Sequence, residues 1–307
     1  MYANPYGQFL SGGIWNGIKN SFRHGSVLTR LIYINVGVFF FLKLVEVFLV
    51  LAGYQRVEPL LLVFTGVPAL PEELLYTPWT ALTYMFTHFG FLHLLFNMLW
   101  LYWFGGIFLN YFSGKKLTGL YILGGLCGAA LYMAAYSLLP AFEEERYFSR
   151  AIGASASVMA IVFAVCTYLP NHKIYVFLIG EVRLINLALF TVVIDLLSIP
   201  SNNAGGHIAH LGGALFGYCF TLAIRRNVDI AGGIIGFFDK LGKKLFPKKK
   251  NMRVKYKNTS NMTDREYNEY KKQKSDRINE ILDKISKSGY ESLTREEKEL
   301  LFKSGRN

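Results

Sequence analysis

The sequence predicts an all-α, polytopic membrane protein: a bundle of six transmembrane helices with a small, charged, helical tail on the cytoplasmic side. Three observations point there. Hydrophobic residues make up 52% of the 307 residues, yet the formal net charge is +12, so apolar and charged residues must be segregated along the chain. Long apolar stretches dominate up to about residue 224, whereas residues 240–307 are rich in charge, which describes a membrane domain with an appendage. No alternating barrel-strand pattern is visible, and unpaired backbone groups are costly in lipid, so the apolar runs are expected as helices.

Residues 1–26 are expected to form an amphipathic cytoplasmic segment. Ile14, Trp15, Ile18 and Phe22 recur at helical spacing beside Lys19 and Arg23, which suits a helix lying flat on a membrane or one packed on the domain. No apolar stretch followed by a small-residue cleavage site precedes the first span, so no signal peptide is expected. The membrane domain is placed at 27–225, with spans at 28–52, 93–112, 117–139, 152–169, 184–199 and 209–224. A span needs about 20 residues to cross a core of roughly 30 Å, and the last three runs fall short of that.

Basic residues set the orientation. Lys19, Arg23, Arg30, Lys115, Lys116, Lys173 and Arg183 flank one set of span ends, while Arg56, Arg146 and Arg150 on the other side sit among Glu58, Glu72, Glu73 and the run 143–145. Both termini are therefore expected in the cytoplasm, of a bacterial inner membrane. Cys127, Cys166 and Cys219 all fall inside expected spans, where small apolar behaviour is their usual role, and they are assigned no disulfide and no metal.

Polar side chains inside spans are costly and need a reason. Span two opens with the run 87–97, in which His93 and Asn97 stand one helical turn apart; span four opens on Gly153-Ala154-Ser155-Ala156-Ser157; span six starts with Gly205-Gly206-His207-Ile208-Ala209-His210. Taken singly, a serine among small residues is most often a packing residue and an asparagine most often glue between helices. Together they form a set: a hydroxyl, an imidazole able to take its proton near neutral pH, and donors for a developing oxyanion. Spans two, four and six all run inward, so the three clusters share one depth. Gly213 and Gly217, like Gly124 and Gly128, recur at every fourth position and predict close helix contact, which would draw span six against span four.

Over about residues 75–224 these clusters resemble the rhomboid family of intramembrane serine proteases. The resemblance implies that Ser155, in a Gly153-Ala154-Ser155-Ala156 version of the family's Gly-x-Ser-Gly, is the nucleophile. It also implies that His210, in Ala209-His210-Leu211-Gly212-Gly213, is the base in preference to His207, and that His93 and Asn97 assist the oxyanion. Gly153, Gly213 and Gly217 are expected to serve helix packing. The implied activity is cleavage of transmembrane protein substrates by a Ser155–His210 dyad with no cofactor and no metal. No buried carboxylate is expected to orient His210, and Asp195 is read as a structural hydrogen-bonding residue. The rival reading is an inactive relative that binds transmembrane helices as a chaperone or retention factor.

Four positions depart from the family pattern. Thr80 follows Trp79 where an arginine is usual, Leu109 stands for a glutamate, Met159 for an aromatic, and Ala156 for the second glycine. Alanine at 156 is expected to be harmless provided that the position is helical.

The linker 226–257 is strongly basic with interleaved Ile234, Ile235, Phe237, Phe238, Leu241 and Leu245. Its place beside the membrane favours anionic lipid headgroups at 225–257 over nucleic acid. The tail, 258–307, shows helical spacing of Ile278, Ile281, Leu282 and Ile285, then a capping box from Thr294 to Glu297, and is expected to be a short helical hairpin. A transporter is disfavoured, since no inverted repeat or pair of broken helices is visible.

Overall fold

The computed structural model describes residues 13–176, 180–200, 203–230, 232–233, 236 and 264–304. Two compact units emerge, Met1–Pro247 and Lys248–Asn307.

In the first unit, α1 (Gly13–His24) leads into α2 (Val27–Leu51), which starts at Ser26 because that hydroxyl accepts the Thr29 N–H. Phe22 is exposed, and the side chains of Ile14, Trp15 and Ile18, with residues 1–12, lie outside the described residues. Along α2, Leu28, Leu31, Asn35, Phe39 and Leu42 are buried at helical spacing. The opposite face exposes Phe40, Phe41, Leu44, Phe48 and Leu51, a surface suited to lipid. Asn35 is satisfied inside the bundle by the Leu31 carbonyl and the Tyr121 hydroxyl.

The segment after α2 is more structured than the sequence suggested. It contains α3 (Val57–Thr65), strand β1 (Val67–Pro68), α4 (Pro71–Tyr76), α5 (Thr80–Thr83) and a 3-10 turn at Tyr84–Phe86. The Trp79 indole donates to the Phe64 carbonyl, and the Thr80 hydroxyl donates to the Thr77 carbonyl. A guanidinium still braces this segment, although it comes from elsewhere: Arg150 donates to the Val63 and Gly66 carbonyls and pairs with Glu73 at 2.6 Å.

Next come α6 (Phe91–Tyr111) and α7 (Gly114–Leu138), then β2 (Arg150–Ala151), paired antiparallel with β1 through Val67↔Ala151 and Pro68↔Arg150. Helix α8 (Ser155–Tyr168) lies at the centre, and almost everything after its first residue is buried. A hairpin of β3 (Lys173–Val176) and β4 (Gly180–Arg183), carrying a Lys173–Glu181 ion pair, precedes α9 (Leu184–Ser198) and α10 (Ala204–Arg225).

Four helices, α2, α6, α7 and α10, are long and apolar enough to cross a membrane, while α8 and α9 are shorter apolar helices. At 1.5 Å per residue the short pair spans only about 21–23 Å. The apolar run beginning at 152 yields a helix only from Ser155, because Gly153 takes a φ of +117° that no helix contains. The last run begins earlier than its hydropathy indicated, at Ala204, since Gly205 to Ile208 are helical.

Close packing of α10 on α8 rests on Gly213 and Gly217. A Cβ at Gly213 would sit far inside van der Waals contact with the Ala156 carbonyl oxygen, and one at Gly217 equally so with that of Ala160. Lower down, the Thr221 hydroxyl donates to the Ala164 carbonyl across the same seam. All three cysteines are free.

In the second unit, α11 (Asp264–Ser288) ends at Gly289, whose φ of +76° suits a glycine after a helix. Helix α12 (Arg295–Ser304) begins with reciprocal bonds: the Glu297 N–H to the Thr294 hydroxyl, and the Thr294 N–H to the Glu297 carboxylate. Ile281 and Leu293 are buried and Lys284 pairs with Glu297. The linker residues Ile234, Ile235, Phe237, Phe238, Leu241 and Leu245 lie outside the described residues.

Candidate active site

Ser155 is the first residue of α8. The first N–H groups of a helix have no partner one turn back, so the Ser155 hydroxyl stands beside free backbone donors and the positive end of the helix. The segment leading into Ser155 is held at three points. The Ala69 N–H donates to the Ser149 carbonyl, the Gly153 N–H to the Tyr84 carbonyl at 2.8 Å, and the Ala154 N–H to His88 Nε2 at 3.2 Å. The Tyr84 hydroxyl in turn donates to the Gly125 carbonyl on α7. Ala156 is helical and buried, so its methyl needs no special backbone angle.

Gly153, expected as a helix-packing residue, has a different task. Besides its left-handed φ, the point where its Cβ would sit lies 2.9 Å from His93 Nε2 and 3.7 Å from Ser155 Oγ. A side chain there would fill the space between the hydroxyl and the imidazole of His93.

His88 was quoted in the sequence without a role. It accepts the Ala154 N–H through Nε2, so it must be neutral with its proton on Nδ1, which faces the Phe86 carbonyl at 3.4 Å. Burial, with His93 close by, pushes its pKa down to about 4, consistent with that neutral state. Its ring meets that of His93 edge-on at 5.0 Å.

A cavity of about 630 Å³ brings the expected residues together. It is lined by His93 and Asn97 from α6, Ser155 from α8 and His210 from α10, with Phe96, Trp100, Met159, Phe190 and Ile194 supplying apolar walls. Asn97 spends one amide hydrogen on the His93 carbonyl at 2.9 Å, leaving the second for another acceptor. Gly213 and Gly217 lie outside this lining and act through the α8–α10 seam.

The expectation that no carboxylate orients His210 is corrected. Asp195, on α9 and buried, has its Oδ1 2.9 Å from His210 Nδ1 and 2.8 Å from His207 Nδ1. No sequence spacing reveals this, because residues 12 and 15 apart meet only when α9 and α10 pack side by side. The same three side chains offer one oxygen and two nitrogens within 4.8 Å of one another, the donor set of a metal site. Those atoms already bond to each other, so the carboxylate is satisfied as it stands. A hydroxyl at a helix start, a carboxylate-bonded imidazole and amide and imidazole donors around one cavity are the parts that acyl transfer uses.

Comparison with known proteins follows the same ground. Residues 76–227 match a family model described as Rhomboid domain, and residues 262–303 match one described as a family of unknown function. RHOMBOID-like protein 12, mitochondrial, of Arabidopsis thaliana is 29% identical over 157 residues, 48% of this chain and 47% of that protein. Presenilin-associated rhomboid-like protein, mitochondrial, of Bos taurus is 27% identical over 214 residues, 66% of this chain and 49% of its own length. The Homo sapiens protein of the same name is 28% identical over 169 residues, covering 52% and 40%. The chain thus spans about half or less of the curated relatives it matches. Their names are mitochondrial and lend no support to a bacterial inner membrane.

Proposed function

The chain belongs to the rhomboid family through residues 76–227, and from that premise we propose that it is an intramembrane serine protease acting on transmembrane segments of other proteins. The reading is carried by one observation: Ser155, His210, His93 and Asn97, from three helices, line one cavity. All four stand at the N-terminal ends of α6, α8 and α10, which the basic-residue pattern assigns to the non-cytoplasmic side of a six-helix domain with both termini inside.

His210 takes the hydroxyl proton as Ser155 Oγ bonds to the peptide carbonyl carbon of a substrate strand. The oxyanion so formed is stabilised by the Ser155 N–H, the free Asn97 amide hydrogen and His93. His210 returns the proton to the leaving amine, the C–N bond breaks, and water, deprotonated by the same imidazole, hydrolyses the acyl-enzyme. The apolar wall of Phe96, Trp100, Met159, Phe190 and Ile194 suits a hydrophobic substrate. The basic stretch 225–257 is proposed to meet anionic headgroups.

Purified protein in detergent or vesicles is expected to react with a fluorophosphonate and to cut a single-span substrate. Ser155→Ala should lose labelling, and cleavage by at least about 10³-fold, with unchanged thermal unfolding. Equal cleavage by Ser155→Ala would remove the assignment. A wild type that binds the substrate but neither labels nor cuts it would instead support a non-catalytic helix-binding protein.

A further inference from the structure

Asp195 sits in the helix LINLALFTVVIDLLS, which has no basic residue, and its side chain is only 7% exposed. A carboxylate so buried is retained only if it is paired or hydrogen-bonded. Both imidazole nitrogens that reach it come from one face of α10, three residues apart, at that helix's N-terminal turns, where the helix dipole also favours an anion.

The chemistry follows from what a carboxylate can do. An ionised carboxylate only accepts, so each neutral imidazole facing it must carry its proton on Nδ1. The Nε2 of His210 is then left unprotonated, the state a base requires before it meets a hydroxyl. Without the carboxylate nothing among the described hydrogen bonds of His210 selects that tautomer. His207 shares the same oxygen, so the bond is divided between a ring on the cavity wall and one that is not.

We propose that Asp195 is a positioning residue of the reaction, holding His210 in the Nδ1–H tautomer with Nε2 as the basic nitrogen, so that the site works as a Ser155–His210–Asp195 triad. The proposal rests on the protease reading above.

Asp195→Asn separates positioning from mere support, because the amide keeps the size and still bonds to imidazole, yet is able to donate to Nδ1 and reverse the tautomer. Full-length Asp195→Asn is expected to lose about 10²–10⁴-fold in kcat with KM changed less than about threefold, and to label with fluorophosphonate correspondingly slowly. Asp195→Glu should recover part of the loss. In ¹⁵N-histidine spectra, assigned with a His207→Gln variant, wild-type His210 should show a protonated Nδ1 and a bare Nε2, and Asp195→Asn the reverse or a mixture. A wild type that cleaves, beside Asp195→Asn cleaving within about threefold of it, overturns this role alone, as does a wild-type spectrum with the proton on Nε2. A wild type that neither labels nor cleaves overturns the protease reading and this role with it.

Discussion

Helices α8 and α9 are both short and apolar, yet they sit in opposite surroundings. In α8, ten of fourteen residues are buried, and the approach to Ser155 is tied down bond by bond. In α9 only Leu184, Ala188 and Asp195 are buried, and Leu189, Val193, Leu196 and Leu197 are exposed outside the cavity lining. The proposed nucleophile thus stands on the most enclosed helix, and the carboxylate bonded to its proposed base on one of the least enclosed. Precision at the hydroxyl comes from packing and backbone bonds, whereas α9 joins the site through one buried charge, Asp195, and the cavity-wall residues Phe190 and Ile194. Hydropathy cannot separate two such helices, because a lipid-facing residue and a core residue of a membrane protein are equally apolar.

The contrast breaks most violently at the α8–α10 seam. Gly213→Val would press its side chain into the Ala156 backbone carbonyl, where neither helix can give way. The expected cost is about 3 kcal/mol or more, with fluorophosphonate labelling lost. Thermal unfolding in detergent measures the first and gel fluorescence the second, and a folded, labelling variant would show that the seam is looser than its geometry.

The clamp on the segment leading into Ser155 is worth less but tests the same rigidity. His88→Leu leaves the buried Ala154 N–H without an acceptor, at an expected cost of about 1–3 kcal/mol. This bond also has a pH sign. Folding lowers the His88 pKa from 6.5 to about 4, so the native state holds fewer protons between those values. Its contribution is therefore whole above about pH 6.5 and is lost as pH falls towards 4. Unfolding midpoints of wild type and His88→Leu should converge across that window, and parallel curves would remove His88 as the cause.

The smallest effect is expected on the outward face of α9. Leu197 is 74% exposed, and Leu197→Ala should shift stability by less than about 0.5 kcal/mol and leave labelling unchanged. A loss above about 1 kcal/mol would mean that α9 is packed against something more than lipid.

Much of the candidate site was legible because its members are expensive where they stand. His93, Asn97, Ser155 and His210 are polar residues in apolar runs, and each cluster opens a helix, so a linear reading finds them. The roles of Gly153, His88 and Arg150 were not legible, since each depends on a partner brought near by packing: the His93 ring, the Ala154 N–H, and the carbonyls of Val63 and Gly66. Asp195 was visible as an odd charge and a hydrogen-bonding residue, but its bond to His210 was not, because its partners lie across the turn between two helices.

What the sequence determined by itself is the list of apolar segments, their order, the polar groups placed at their ends and the caps of the tail, all of which are local properties with a fixed period or spacing. What only the tertiary structure decided is which of two short helices is enclosed, where α8 begins, and that a carboxylate on α9 meets the histidines of α10. Those outcomes depend on the meeting of surfaces far apart in the chain, and a side chain's partner across such a meeting leaves no periodic trace in the residues on either side.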